Sequence, residues 1–122
     1  MSCYFESDAG TLWNPSSSTA RLFIGYARVI EGVVGVSSGL GDLIDDECYV
    51  DVPLFDEFCR QVARFLRKSK HAVLASLIRE FLIICCVLLK RAGREFETSL
   101  LDDWDSPEWR SDLSARESKM PT

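Results

Sequence analysis

The stretch from Ala72 to Ala92 constrains this chain more than any other, because its second half is apolar on every side. A helix of that kind has no face to give to water, so other elements must wrap it. Its unbroken apolar run, Phe81 to Leu89, falls far short of the roughly 20 residues a bilayer span needs. Extending the run back to Val73 takes in Arg79 and Glu80, two charges that argue for a core helix and against a transmembrane span. Gly93 supplies its C-terminal cap.

Two further helices are expected to wrap it. Asn14-Pro15-Ser16-Ser17-Ser18 is loop and helix-start chemistry, and from about Thr19 to Val36 the residues Leu22, Phe23, Tyr26, Ala27, Ile30, Val33 and Val34 recur at helical spacing. Gly25, Gly32 and Gly35 weaken that helix, each by about 1 kcal/mol relative to alanine, while permitting close approach of a neighbour. Asp51 before Pro53 opens a strongly amphipathic helix over about Pro53 to Lys68, with Phe58, Cys59, Val62, Phe65 and Leu66 on one side and Arg60, Arg64, Arg67 and Lys68 opposite. The polar break Ser69-Lys70-His71 separates it from the central helix. Leu40 to Val52 reads as a short helix and loop, and Phe96, Leu100, Leu101 and Trp104 stand at helical spacing ahead of a capped start at Ser106-Pro107-Glu108. The expected architecture is therefore all-α: a single-domain bundle of about five helices around a central hydrophobic helix. Residues 1–18 form an irregular N-terminal segment, 19–113 the bundle, and 114–122 a polar tail. A length of 122 residues suits one domain with one core.

Charge is unevenly spread. The net charge is −5, yet Leu54 to Arg91 carries eight basic against three acidic residues, leaving −10 for the rest. A basic middle can steer an acidic partner or clamp the chain's own flanks. The five cysteines show no C-x-x-C pair, and three of them sit in apolar helical context. This implies a reducing, cytoplasmic compartment, with Cys3 and Cys48 as the thiols available for an intermolecular disulfide and peripheral membrane association left open. The first residues carry no basic region and no apolar run, so no signal peptide is expected.

No catalytic site is expected. His71 is the only histidine and has no nucleophile in a recognisable context beside it; no cofactor is implied, because no phosphate-loop lysine follows the glycines. Adjacent Cys85 and Cys86 diverge by about 100° on a helix, and the acidic run Asp42 to Asp51 lacks the ligand alternation of a calcium loop, so no metal is expected. What remains is an interaction domain that holds an amphipathic helical peptide of a protein partner.

Several segments carry a resemblance that sharpens this. Phe58-Cys59-Arg60-Gln61-Val62-Ala63-Arg64-Phe65-Leu66-Arg67 ahead of a break, and Phe81 to Val87 as an apolar centre, resemble the middle of the Bcl-2 apoptosis regulators, especially the compact viral members. Leu100-Leu101-Asp102-Asp103-Trp104 through Trp109 is similar to the family's tryptophan-bearing C-terminal segment, and Leu40-Gly41-Asp42-Leu43-Ile44 to its death-motif core. The resemblance implies sequestration of a pro-apoptotic helix in a hydrophobic groove, an apoptosis inhibitor at a host–virus interface. Its floor would be Phe58, Val62, Phe65, Leu66, Leu74, Leu77 and Ile78, and its charged rim Arg60, Arg64, Arg67 and Lys70. The family's asparagine-tryptophan-glycine-arginine signature is absent, so its arginine's role would pass to Arg67 or Lys70. One alternative is a homodimeric or larger accessory or scaffold protein, joined through the glycine-bearing face of Thr19 to Val36 and an exposed Trp109. The other is nucleic-acid binding through the basic stripe at 60–70, which the overall acidity and the lack of interleaved aromatics oppose.

Overall fold

A computed structural model describes residues 1–69, 71–95 and 107–122. The fold is mixed, not all-α. Its described elements run β1 (Tyr4–Ser7), β2 (Gly10–Trp13), α1 (Ser17–Val34), β3 (Glu47–Tyr49), α2 (Val52–Ser69), α3 (Ala72–Arg91) and α4 (Pro107–Glu117). The five-helix expectation is corrected in two places. The N-terminal segment folds into a β-hairpin, and residues 40–52 supply a strand instead of a short helix, so the Leu40 to Ile44 segment is not the helix that the Bcl-2 resemblance implied. The expected helix through Phe96, Leu100, Leu101 and Trp104 lies outside the described residues.

The physical reason for the strands is a two-residue period. Cys3 and Phe5 are buried while Tyr4 between them is exposed, and Cys48 and Val50 are buried around an exposed Tyr49. The sheet order is β2-β1-β3, with β1 antiparallel to β2 (Phe5 opposite Trp13, Ser7 opposite Gly10) and parallel to β3 (Phe5 opposite Cys48). A parallel partner cannot follow through a tight turn, and α1 lies within the crossover. Neither outer strand leaves its backbone bare throughout. The Gly41 amide donates to the Tyr49 carbonyl at 2.9 Å, and just past β2 the Asn14 amide donates to the Pro121 carbonyl at 2.7 Å.

The contact at Pro121 corrects the expected polar tail. Met120 is buried, and Arg91 at the end of α3 donates to the carbonyls of Leu12, Glu117 and Met120 at 2.9, 3.2 and 2.7 Å, tying the C-terminal residues to the sheet. A guanidinium suits this position because its forked donors reach several acceptors from one fixed plane. α4 lies along α3 with Trp109 buried beneath Arg79, whose guanidinium sits 5.6 Å from the ring centroid. Arg79 also pairs with Asp112, Arg116 with Glu80 at 2.8 Å and Lys90 with Glu117 at 3.0 Å. Arg79 and Lys90 of the basic middle thus hold carboxylates of α4, while Arg116 of α4 holds Glu80 of α3 in return.

The helix signals act locally as their chemistry requires. Ser16 caps α1, accepting from the Thr19 amide, and α1 ends on Gly35 at φ 78°. Asp51 accepts from the Leu54 amide at the start of α2, and His71 Nδ1 accepts from the Leu74 amide at the start of α3. Gly93, at φ 80°, follows the end of α3, with the Arg94 amide donating to the Leu89 carbonyl. α3 is enclosed from Phe81 to Ile83 and from Cys85 to Leu89. By length and composition alone it is long and apolar enough to cross a membrane, with mean hydropathy 2.4, and half of that window is buried within the protein.

The core joins sheet and helices through a chain of rings, stacked or edge-on as aromatic quadrupoles prefer. Phe5 stacks on Trp13 at 5.1 Å between centroids, and both meet Phe23 of α1 edge-on. Phe23 stacks on Phe81 of α3 at 5.0 Å, and Phe81 meets Phe58 of α2 at 6.2 Å.

Candidate functional site

The groove expected between α2 and α3 is closed. Phe58, Val62, Leu66 and Ile78 are core residues, and Phe65 and Leu74 are half-buried against that core. Two apolar helices packed directly on each other leave no slot for a third, and Cys59 of α2 and Cys85 of α3 are both fully buried. Leu77 alone of the seven is exposed, and it faces α1. The basic residues do not rim an opening either. Arg60 pairs with Asp56 at 3.2 Å and Arg64 with Glu57 at 4.0 Å, Arg67 is exposed, and Lys70 lies outside the described residues.

An apolar groove lies instead between α1 and α3. It measures about 200 Å³ and is lined by Leu22, Phe23 and Tyr26 on one side and Leu77, Phe81 and Ile84 on the other, with Trp13 and Thr19 at the sheet end. Glu80 is the one carboxylate among its described lining residues, and Arg116 neutralises it. The Tyr26 hydroxyl donates to the Leu77 carbonyl and pins the two helices together, so the ring is fixed as a wall.

The groove is the centre of a larger apolar face. Leu22 is 73% exposed, Val29 70% and Val33 51% on α1, and Val73 is 64% and Leu77 62% exposed on α3. Phe23 and Tyr26 meet Phe81, and Tyr26 reaches back to Leu77, so Leu22 and Leu77 flank the place where the two helices meet. Isolated surface leucines need no explanation, and what distinguishes this surface is that Leu22 and Leu77 also line one apolar groove. Helical periodicity hides this face, because it assigns Leu22 and Val33 to the buried side of the first helix.

The cysteines offer no competing chemistry. All five are buried and free, including Cys3 and Cys48, the two thiols expected to be available for an intermolecular disulfide. Burial pushes the Cys48 thiol up to about 11 and holds Cys59, Cys85 and Cys86 above the usual thiol range. All four are therefore protonated at neutral pH and poor nucleophiles or ligands. Among the described residues, no group of three or more His, Cys, Asp or Glu side chains is placed to hold a metal ion. Ser38, fully buried, donates its hydroxyl to Glu31 at 2.6 Å beside Arg28, and that network ties α1 to the loop before β3. Trp109, expected to be an exposed contact, is buried.

A family model described as a family of unknown function, DUF6086, matches residues 1–122. No curated protein and no solved structure matches the chain.

Proposed function

The chain belongs to that family, DUF6086, and we propose from its own surface that it is a non-enzymatic interaction module that receives an amphipathic helix on the face shared by α1 and α3. The observation that carries this reading is the exposure of Leu22, Val29, Val33, Val73 and Leu77 around one apolar groove. A helix laid across this groove buries anchors spaced three and four residues apart, the geometry by which helical ligands are held. Most of its affinity comes from apolar area. The carboxylate in the groove wall is already neutralised, so salt has little effect.

The binding face thereby moves from the α2–α3 contact to α1–α3, and the class of ligand stays the same. Pro-apoptotic helices, suggested by the resemblance to Bcl-2 regulators, are one group of candidates. Nucleic acid is less well served, since Arg60 and Arg64 of the basic stripe are engaged by Asp56 and Glu57.

Calorimetric titration against a panel of amphipathic helical peptides, pro-apoptotic helices among them, tests it. Micromolar binding is expected for at least one peptide. Leu22→Glu and Leu77→Glu should each weaken it tenfold or more, because a buried leucine is worth about 1.5–3 kcal/mol. Arg64→Glu on the far side of α2 should leave it unchanged. Silence across the panel, or binding indifferent to both leucine variants, contradicts the proposal.

A further inference from the structure

A second surface stands apart from the α1–α3 groove, and we infer that it docks an arginine-rich segment of a protein partner: the outer face of the three-stranded sheet. The helices cover one face of that sheet, where Phe5 and Trp13 meet Phe23 of α1. Nothing among the described residues covers the other, where Tyr4 is 40% and Tyr49 52% exposed. The register sets Tyr4 of β1 beside Glu47 of β3 and Glu6 beside Tyr49, so two rings and two carboxylates alternate at the corners of one patch. Thr11 donates to Glu6 at 2.6 Å and Tyr49 donates to Asp8 at 2.9 Å, which holds one carboxylate and one ring in place.

Both kinds of corner favour the same ligand group. Adjacent corners lie about 5 Å apart across the strands and about 7 Å apart along them. A guanidinium resting on a tyrosine ring, within about 6 Å of its centroid, therefore also reaches the next carboxylate. The chain already holds one guanidinium by this pairing, since Arg79 lies over the Trp109 ring and bonds to Asp112. Arginine suits the patch better than lysine, because its planar group can stack and fork at once. The wider charge agrees. Residues 1–20 and 36–55, which build the sheet and its turns, contain no lysine, arginine or histidine. Of their carboxylates, only Asp42 meets a cation among the described residues, Arg28 at 3.3 Å. Asp45 and Asp46 carry charge to the Tyr4 end of the patch, where the Tyr4 amide donates to the Asp46 carbonyl at 2.8 Å. Both have positive φ, 51° and 61°, in a two-residue turn for which asparagine and glycine are the favoured pair. The aspartates cost the turn stability and add charge where an incoming cation would lie.

Calorimetric titration of the full chain with a short arginine-rich peptide at physiological ionic strength, beside its lysine counterpart, tests this. Micromolar affinity is expected for the arginine peptide, with the lysine peptide weaker by about threefold or more. Tyr49→Thr, which keeps a strand former but removes the ring, should weaken binding about threefold, the worth of an exposed cation–π contact, and Tyr49→Phe should restore it. Asp45→Asn combined with Asp46→Gly should weaken binding about fivefold while leaving the melting temperature equal or higher, because that pair suits the turn. The combination separates lost charge from a misfolded chain. Equal affinity for the two peptides, or binding indifferent to both Tyr49→Thr and the turn variant, shows attraction by overall acidity alone and overturns the inference. So does silence at physiological ionic strength. Helical peptides bound at Leu22 and Leu77 report on the other face, so the two readings stand or fall separately.

Discussion

Phe58→Ala should lower the unfolding free energy by about 3–5 kcal/mol, the range for deleting a large aromatic side chain from a closed core. Phe58 is 0% exposed and meets Phe81 edge-on, at the joint where α2 is held to α3. Its neighbours are close-packed elements of two helices that cannot collapse far into the space left behind, so the cavity persists and its loss of contacts adds to the transfer term. Phe58→Leu refills most of that volume and should recover much of the loss. Urea denaturation with a fixed slope measures both. The result also separates two pictures of α2. A groove-lining Phe58 would lose ligand affinity on truncation and little stability, whereas a core Phe58 loses stability first. A drop below about 1 kcal/mol would mean that α2 and α3 do not pack as described.

Gly39→Ala should cost about 3 kcal/mol, a large effect for the addition of one methyl group. Two penalties combine. Gly39 has φ 73°. That left-handed conformation costs an alanine about 1–2 kcal/mol. The added Cβ would also stand 2.7 Å from the Asp51 carbonyl oxygen, 2.8 Å from the Leu54 Cβ and 3.0 Å from the Phe55 amide nitrogen. The Asp51 carbonyl accepts the Phe55 amide at 2.8 Å, and the Asp51 amide donates to the Gly39 carbonyl at 2.9 Å, so the methyl group wedges apart the first turn of α2. The loop cannot retreat easily, because the Ser38 hydroxyl is bonded to Glu31 at 2.6 Å and accepts the Leu40 amide. Gly25→Ala serves as the control, as its Cβ meets nothing and its φ is ordinary. It should stabilise the chain. Thermal or urea unfolding of the pair reads both signs at once.

The helices were legible because α1, α2 and α3 are each long enough for a 3.6-residue period and its caps to declare themselves over several turns. The strands were not. β1, β2 and β3 are so short that a two-residue period has only one cycle or two in which to show. Cys48, Tyr49 and Val50 alternate correctly, yet the acidic residues around them read as a loop. β1 and β3 also pair across the whole of α1, a relation that no local pattern encodes. The candidate site escaped for a different reason. The apolar residues of α1 cover more than half of its circumference, and composition cannot say which part the rest of the fold will reach. Phe23, Ala27 and Ile30 turned inward, and Leu22, Val29 and Val33 were left outside. The groove expected from the sequence sets Leu77 against α2, whereas its neighbour across the groove is α1.

Methyl-resolved NMR of the full chain, followed as an amphipathic peptide is added, tests most directly whether the α1–α3 face is where this protein meets a helical partner. The methyl signals of Leu22, Val29, Val33, Val73 and Leu77 should move together, while those of Val62, Leu66 and Ile83 in the core stay in place. Movement centred on α2 or the sheet, or no movement, would contradict the account.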